Sequence, residues 1–384
     1  MKKKVVIPCL VFFVLLFGVS IFFANKLSNN EITTISTANF LDVKEYKELN
    51  KLEISKALLN KVDNNDTSEV NKSGDDLTLC LTGEIMMGSD VSKNLDYSYL
   101  IAFKDIYNIT KSADFTYANF STNITNLKKI EDSKSKYIVT KDAINALTTL
   151  GIDAVSIAND HVLDFGDDIV KNTINILEDN DIYVAGRQDS PVYLEKLDKK
   201  IAIISTNSVI IGTDTKYIES GISIFDINRL KQNINIAKNQ ADLVILDVHW
   251  GREFTYGVTN QMKTIATLLI DAGADMVLGS HAMGIYPVVM YKDKPIIYST
   301  GYLIGDSNSI LSKEGFIFNI KISKDKKIET IEMIPTFVED KKKVMLYSQF
   351  NIDKTREILK LYNGYHLENG LNSKIVDDKI IIQL

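Results

Sequence analysis

The sequence predicts an α/β fold preceded by a single N-terminal transmembrane helix. Short apolar runs alternate with amphipathic segments from residue 77 to residue 301. These runs are apolar at almost every position, which indicates strands covered by other elements on both faces. Before them, the uncharged apolar stretch from Val5 to Ala24 has the length of about 20 residues that a helix needs to cross a bilayer.

The N-terminal stretch is best interpreted as an uncleaved anchor. Lys2, Lys3 and Lys4 precede it, and basic flanks stay in the cytoplasm, so the rest of the chain should face outward. A cleaved signal peptide would have an apolar region of roughly 7–15 residues followed by small residues. Here Phe22 stands where a small residue belongs. A buried core helix is the remaining alternative. We therefore predict a single-pass cell-membrane protein with an extracellular C-terminal domain.

Strands and helices follow one another in a regular order after residue 76. Strands are predicted at 77–83, 113–120, 152–159, 182–186, 200–207, 241–251 and 274–280, and helices at 141–151, 167–181 and 259–273. The first of these helices ends at Gly151, a typical stop residue. Residues 287–301 are predicted to form a hairpin around Lys292 and Asp293, and the tail adds strands and the helix DKTREILKLYNGY.

Net charge and cysteine positions restrict the partners and the disulfide bonds that this chain can have, and the sequence divides into four parts. The formal net charge of −6 over 384 residues argues against a general nucleic-acid binder, because phosphate backbones require a basic surface. Cys9 lies in the apolar stretch and Cys80 in a predicted strand, so the two cysteines cannot pair if the apolar stretch lies in the membrane. We divide the chain into a basic flank with the anchor, a polar stalk, a main domain and a C-terminal part that completes it, over residues 1–24, 25–74, 75–314 and 315–384.

Polar residues cluster where the predicted strands end. Three of the four histidines are among them, the exception being His366 in the tail. The residues at strand ends are Glu84, Asn119, Ser121, Asn159, Asp160, His161, His249, Glu253 and His281. Each alone has an ordinary explanation, since Asn and Asp are common turn residues and a lone histidine is often structural. In open α/β sheets, however, ligands bind beyond the carboxyl ends of the strands, so one cleft could collect the whole set.

The residue types in this set suit a divalent metal. Carboxylate and imidazole ligands favour Mn, Fe or Zn, and a pair of such ions could hold both oxygens of a phosphoryl displacement. The stretch SIANDHVLDFGDD could instead be a catalytic dyad, in which His161 protonates a leaving group and Asp164 orients it, or an ordinary polar turn.

The ordered motifs resemble those of the CapA (also PgsA) proteins of poly-γ-glutamate capsule synthesis. The motifs are TGEIMMGSD, ADFTYANFSTNIT, IANDHVLDFG, HWGREF, GSHAMG and YSTGYL, with the helix TNQMKTIATLLIDAGADMVLG between the fourth and the fifth. The resemblance runs from about Leu77 to Asp306. It implies a calcineurin-like metallophosphatase fold, which is a layered sandwich of sheets covered by helices.

Five positions depart from the family pattern. Glu84 replaces an aspartate, Ser121 a glutamate, Asp160 an asparagine, Met283 a histidine and Tyr302 an asparagine. A serine and a thioether are poor ligands for hard or borderline ions. A two-metal site is therefore compromised, and the resemblance implies one ion or none.

The resemblance also implies roles for individual residues of the motifs. The metal ligands would come from Glu84, Asp160, His249 and His281, the general acid would be His161 with Asp164, and substrate contacts would involve Asn119, Asn159, Trp250 and Glu253. The alternative for HWG is structural, with Trp250 packing a strand end and His249 bonding to the backbone.

The expected function is a membrane-anchored protein that takes part in synthesis, export or anchoring of poly-γ-glutamate or a related anionic polymer. Its partners would be the membrane, the polymer and other membrane components of polymer synthesis, and no nucleic acid. The alternatives are an active metal-dependent extracellular hydrolase of phosphoester or polymer amide bonds, and a structural surface protein with a decayed site. A basic patch for a polyanion could come from Lys128, Lys129, Lys134 and Lys136, which otherwise are merely solvated.

Overall fold

The computed structural model describes residues 76–95, 99–126, 137–188, 190–209, 215–253, 257–282, 284–305, 309 and 313–384. The predicted anchor, the stalk, the four lysines between 128 and 136, and Met283 lie outside the described residues. None of the helices within the described residues is long and apolar enough to cross a membrane.

Two large sheets dominate the described part of the chain. The first sheet has nine strands in the order β18-β19-β16-β15-β1-β3-β6-β7, with β17 paired to β16. Its strands are β1 (Leu77–Leu81), β3 (Phe115–Asn119), β6 (Ala154–Ser156), β7 (Tyr183–Ala185), β15 (Glu314–Ile322), β16 (Ile328–Glu339), β17 (Lys343–Leu346), β18 (Asn372–Val376) and β19 (Lys379–Gln383). Because β15 pairs antiparallel with β1, the C-terminal strands belong to the same sheet as the first strand of the domain.

The second sheet has six strands in the order β12-β13-β11-β10-β9-β8 within the described residues. Its strands are β8 (Val192–Lys196), β9 (Lys199–Asn207), β10 (Leu243–His249), β11 (Met276–Ser280), β12 (Val288–Tyr291) and β13 (Lys294–Ile297). The predicted hairpin is confirmed as β12 and β13, with Lys292 and Asp293 both at positive φ in the two-residue turn. Two short pairs complete the strands, β2 (Glu84–Ile85) with β14 (Tyr302–Ile304) and β4 (Asn123–Thr125) with β5 (Ile138–Thr140).

Helices cover the outer faces of both sheets. The α-helices are α1 (Ser89–Asn94), α2 (Tyr107–Ser112), α3 (Ile144–Leu150), α4 (Asp167–Glu178), α5 (Thr215–Glu219), α6 (Ile227–Lys238), α7 (Asn260–Asp271), α8 (Tyr347–Phe350) and α9 (Ile352–Glu368). Apolar residues of α3 and α4 form one core with the first sheet, and those of α6 and α7 form another with the second sheet. A third core joins the facing sides of the two sheets, and residues of α8 and α9 also belong to it. The arrangement is a helix–sheet–sheet–helix sandwich, which confirms the predicted α/β class.

Six of the seven predicted strands are shorter in the structure, whereas β9 begins at Lys199, one residue earlier than predicted. Helix α6 was not predicted. Helix α6 is preceded by Asp226, whose side-chain oxygen accepts hydrogen bonds from the backbone N–H groups of Asn228 and Arg229. This is a capping interaction that the sequence FDINRL could have revealed. The helix predicted from residue 141 begins with a 3-10 turn and ends at Gly151, which adopts the left-handed conformation as a stop residue does.

Candidate functional site

The facing sides of the two sheets change from apolar to polar along the strands. Successive residues of a strand point to opposite faces, so Ile245, Asp247 and His249 of β10 all face the first sheet. In β3, Tyr117 precedes Asn119 on the same face. The carboxyl ends of the strands from both sheets therefore bring polar side chains into one layer, as the sequence predicted for an edge of an α/β sheet.

Three of the four predicted metal ligands converge. One candidate ligand atom each from Asp160, His249 and His281 lies within 4.8 Å of the other two. The Oδ1 atom of Asp160 is 3.0 Å from Nε2 of His249 and 3.8 Å from Nδ1 of His281. The rings of His249 and His281 are tilted against each other with centroids 4.6 Å apart. We refer to these three residues as the Asp-His-His cluster.

The local backbone explains how the cluster is held. His249 is the last residue of β10, and His281 directly follows β11 at φ 77°, a conformation that is uncommon for a residue with a side chain. Asp160 lies in the turn after β6, where the Tyr217 hydroxyl donates to its carbonyl oxygen at 2.9 Å. The turn itself is fixed by Asn159, whose Oδ1 accepts the His161 backbone N–H at 3.0 Å.

The charge states of the cluster are set by burial and by mutual attraction. Burial lowers the pKa of His281 to about 3, with help from the neighbouring charge of His249, so this ring is neutral and keeps a free lone pair. Burial also disfavours the charged form of His249, but the hydrogen bond to Asp160 and the negative charges of Glu84, Asp160 and Asp247 together outweigh burial, so the pKa of His249 is raised. Burial opposes ionisation of Asp160, yet the surrounding histidines hold the pKa of that carboxyl below its usual range.

Glu84, the fourth predicted ligand, lies beside the cluster in a different state. Its Oε1 accepts a hydrogen bond from the Ser121 hydroxyl, and its Oε2 accepts the His281 backbone N–H at 3.2 Å. Burial raises the pKa of Glu84 in spite of the nearby His249. The departure at Ser121 thus has a structural consequence, because the serine holds the carboxyl group that the sequence assigned to metal binding.

The predicted acid pair is formed. His161 Nδ1 lies 2.9 Å from Asp164 Oδ2, and its Nε2 lies 3.9 Å from Asp160 Oδ1. The Tyr137 ring packs on the imidazole with centroids 4.2 Å apart. Burial lowers the pKa of His161, but the hydrogen bond to Asp164 and the charge of Asp160 outweigh it, so the pKa is raised overall.

The four residues expected to contact substrate occupy different positions. Glu253 is half-buried near the cluster. Burial is the main cause that raises the pKa of Glu253, and the charge of Asp160 raises it further. Asn119, Asn159 and Trp250 are buried and use their polar atoms inside the protein. Asn159 Nδ2 donates to the Phe120 carbonyl at 3.1 Å, which differs from the expected substrate contact.

Trp250 also differs from the expected contact, and it matches the structural alternative in part. Its Nε1 donates to the Tyr298 carbonyl at 2.9 Å in the core behind the second sheet. His249 does not bond to the backbone as that alternative held, because its ring nitrogens face Asp160 and Ser280. Tyr302, which departs from the family's asparagine, is buried against Met86.

The sequence analysis did not identify Ser280, nor the buried hydrogen-bonded residues one layer below the Asp-His-His cluster. Ser280 pairs in register with His249, and its Oγ lies 3.0 Å from His249 Nδ1. One layer deeper, Tyr117 donates to Asp247 Oδ2 at 2.7 Å and Ser205 donates to the same atom at 3.0 Å. The strand periodicity of two was the available signal, since it places Asp247 with His249 on one face.

Comparison with known proteins shows a family model, relatives and a solved structure to which this chain is similar. Residues 78–307 match the model of a family described as bacterial capsule synthesis protein PGA_cap. The chain is 24% identical over 340 residues to the capsule biosynthesis protein CapA of Bacillus anthracis, covering 80% of this chain and 81% of that protein. It is 25% identical over 275 residues to the PGA biosynthesis protein CapA of Bacillus subtilis, covering 68% and 72%. A hypothetical protein from Thermus thermophilus superposes with a TM-score of 0.46 at 13% identity, covering 68% of this chain and 100% of that one.

The matched segment spans more than half of the chain and contains every residue of the Asp-His-His cluster. It also extends over all six motifs on which the predicted resemblance to CapA rested. The chain therefore belongs to the bacterial capsule synthesis protein family PGA_cap.

Proposed function

We propose that this chain takes part in synthesis, export or anchoring of poly-γ-glutamate or a related anionic capsule polymer, and that its domain carries a centre for one divalent ion. The observation that carries the proposal is the family match over residues 78–307, which contains the converging Asp160, His249 and His281. Both curated relatives described above are named for capsule or PGA biosynthesis.

The donor set fits a divalent ion. It combines one carboxylate that is ionised and two imidazoles, of which His281 is neutral and ready to donate a lone pair. Such mixed sets suit Mn, Fe or Zn. Asp160, His249 and His281 would hold the ion, and a bound ion would act as a Lewis acid toward a carbonyl or phosphoryl oxygen.

A metallophosphatase-like fold is part of the proposal. It is supported by two facing sheets with helices on both outer faces, and by a cluster at the carboxyl ends of the strands. A single ion rather than a pair is supported by Ser121, whose hydroxyl engages Glu84 where the family pattern has a further carboxylate.

The location belongs to the proposal as well. The uncharged stretch from Val5 to Ala24 behind three lysines supports a single-pass anchor with the domain on the outer side of the cell membrane. A protein at that place would meet the polymer as it emerges, together with other membrane components of its synthesis.

A second candidate is a metal-dependent hydrolase of the polymer's amide bonds or of a phosphoester, and the His161–Asp164 pair favours it. Asp164 holds Nδ1 of His161 at 2.9 Å, so Nε2 is the nitrogen that faces the cluster. A raised pKa keeps this ring protonated closer to neutral pH, as a general acid requires. In this reading His161 gives its Nε2 proton to the leaving group, and Asp164 stabilises the charged ring before the transfer.

One experiment separates the candidates. The full-length chain is incubated with purified poly-γ-glutamate, with Mn²⁺ or with a chelator, and both binding and polymer length are measured. His249→Ala tests the cluster, His161→Gln tests the acid, and Asp353→Ala is the control because this carboxylate lies 86% exposed on α9.

Metal-dependent binding without shortening, lost in His249→Ala, supports the proposed role in handling the polymer. Shortening that disappears in His161→Gln supports the hydrolase. If the protein neither binds nor shortens the polymer, with Mn²⁺ or with the chelator, both candidate functions are contradicted.

A further inference from the structure

A continuous chain of hydrogen bonds reaches the Asp-His-His cluster from the interior. Asn119 Nδ2 donates to Ser280 Oγ at 3.1 Å, Ser280 Oγ lies 3.0 Å from His249 Nδ1, and His249 Nε2 lies 3.0 Å from Asp160 Oδ1. Asn119, Ser280 and His249 are each at most 4% exposed. These hydrogen bonds also connect the two sheets, because Asn119 is the last residue of β3 in the first sheet and Ser280 is the last residue of β11 in the second sheet.

The orientation of the Asn119 amide is determined by its surroundings. Its Oδ1 lies 3.0 Å from the Ser121 hydroxyl, whose single proton is shared between this oxygen and Glu84 Oε1, and its Nδ2 donates to Ser280. An amide nitrogen carries only donors, so Ser280 Oγ must accept on this side. One lone pair of the Ser280 oxygen is thereby used, while its proton and its second lone pair remain for His249.

The free capacity of Ser280 matches both tautomers of a neutral His249. If Nε2 carries the proton and donates to Asp160, the Ser280 hydroxyl donates to Nδ1. If Nδ1 carries the proton, the Ser280 oxygen accepts the hydrogen bond from Nδ1–H, and Nε2 presents a lone pair toward Asp160 and His281. Histidine ligands generally depend on such a partner at the second nitrogen for their orientation.

We propose that Asn119 and Ser280 form a positioning pair that holds the His249 ring in place and lets Nε2 change from hydrogen-bond donor to metal ligand without moving. This deepens the proposed function, since it rests on the Asp-His-His cluster being the metal centre. Neither residue touches the proposed ion. Both act through His249, and Asn119 acts through Ser280.

The first test is equilibrium binding of Mn²⁺ and of Zn²⁺ to the full-length chain. Ser280→Ala should weaken the affinity by about 10-fold or more, which is the usual effect of losing the partner of a ligating histidine. Ser280→Thr should restore it, because the hydroxyl is retained. Asn119→Ala should give a smaller loss that does not add to that of Ser280→Ala, since both changes act on one contact.

The matched control is Ser373→Ala. Ser373 is also a buried serine beside a histidine ring, with Oγ 3.4 Å from Nδ1 of His366, but it does not touch the cluster. Its affinity for metal should equal that of the wild type. Wild-type affinity in Ser280→Ala would overturn the positioning pair.

A second readout in the metal-free protein keeps the two proposals distinguishable. The chain has only 4 histidines, so labelling them with ¹⁵N gives a spectrum in which each ring can be assigned. Ser280→Ala should shift the His249 ring nitrogens and leave those of His366 unchanged. If the wild type binds no metal but this shift occurs, the metal centre and the ligand role of Nε2 fail, while the placement of the His249 ring by Ser280 stands. If the His249 signals do not move, the positioning pair is wrong whatever the metal result.

Discussion

Replacing Asp160 tests the candidate metal centre most directly, because this side chain serves the cluster in two ways. Its Oδ1 lies 3.0 Å from Nε2 of the fully buried His249. Asp160→Ala leaves that N–H group without an acceptor, which should lower the free energy of unfolding by about 1–3 kcal/mol. Asp160→Asn keeps an acceptor oxygen, so its metal-free stability should lie within about 1 kcal/mol of the wild type.

The metal-dependent part of the stability should separate the variants further. A ligand at 100 times its dissociation constant stabilises the folded state by about 2.7 kcal/mol. Asp160→Ala removes one of the three converging donors, so this increment should vanish. Asp160→Asn restores the residue type that the family pattern has there, and its amide oxygen should retain part of the increment.

The assay is thermal unfolding of the full-length chain by calorimetry, with Mn²⁺ and with a chelator. Asp353→Ala, which alters an exposed carboxylate in the first turn of α9, should show the same metal increment as the wild type. A full metal increment in Asp160→Ala would refute the assignment of the cluster. Unchanged metal-free stability in that variant would show that the Asp160–His249 hydrogen bond contributes nothing to the fold.

Three further changes test other parts of the structure. Since the hydrogen bond to Asp164 raises the pKa of His161 against the effect of burial, Asp164→Asn should lower that pKa in an NMR titration, and an unchanged value would contradict the pairing. Burial lowers the pKa of His366 to about 4, below the ~6.5 of an unfolded chain, so the folded state loses stability as the pH falls between these values. His366→Gln should reduce this loss in urea unfolding at about pH 7 and about pH 4.5, and an equal loss in wild type and variant would refute the assignment. A Cβ atom on Gly279 would lie 2.3 Å from Nε1 of Trp250, so Gly279→Ala should cost about 1–3 kcal/mol or more and shift the emission of this single tryptophan. Wild-type emission and stability would show that the contact is not tight.

Much of the fold was readable from the sequence because its signals are local. Continuous apolar runs such as LVILDVH mark strands that are buried on both faces, and the structure has β10 there with every residue buried. The turn at Lys292 and Asp293 and the helix stop at Gly151 were equally local. The pairing of β15 with β1 was not, since it joins segments that are more than 200 residues apart and no periodicity encodes such a partner.

Part of the candidate site was also predictable from the sequence, and part was not. The motif order and the position of Asp160, His249 and His281 after predicted strands indicated a shared edge of the fold, and in the structure one ligand atom from each lies within 4.8 Å of the other two. The sequence could not tell that Trp250 points into the core behind the second sheet, because HWG fits a substrate contact and a packing role equally well.

The sequence by itself determined the family, the alternation of strands and helices, and the set of residues at the strand ends. Only the tertiary structure decided how these residues share their hydrogen bonds. It joined Ser121 to Glu84, and Ser280 to His249, across distances of 37 and 31 residues in the chain. The physical reason is that a buried polar atom must find a partner wherever the packing of the two sheets places one, and that packing depends on the whole chain.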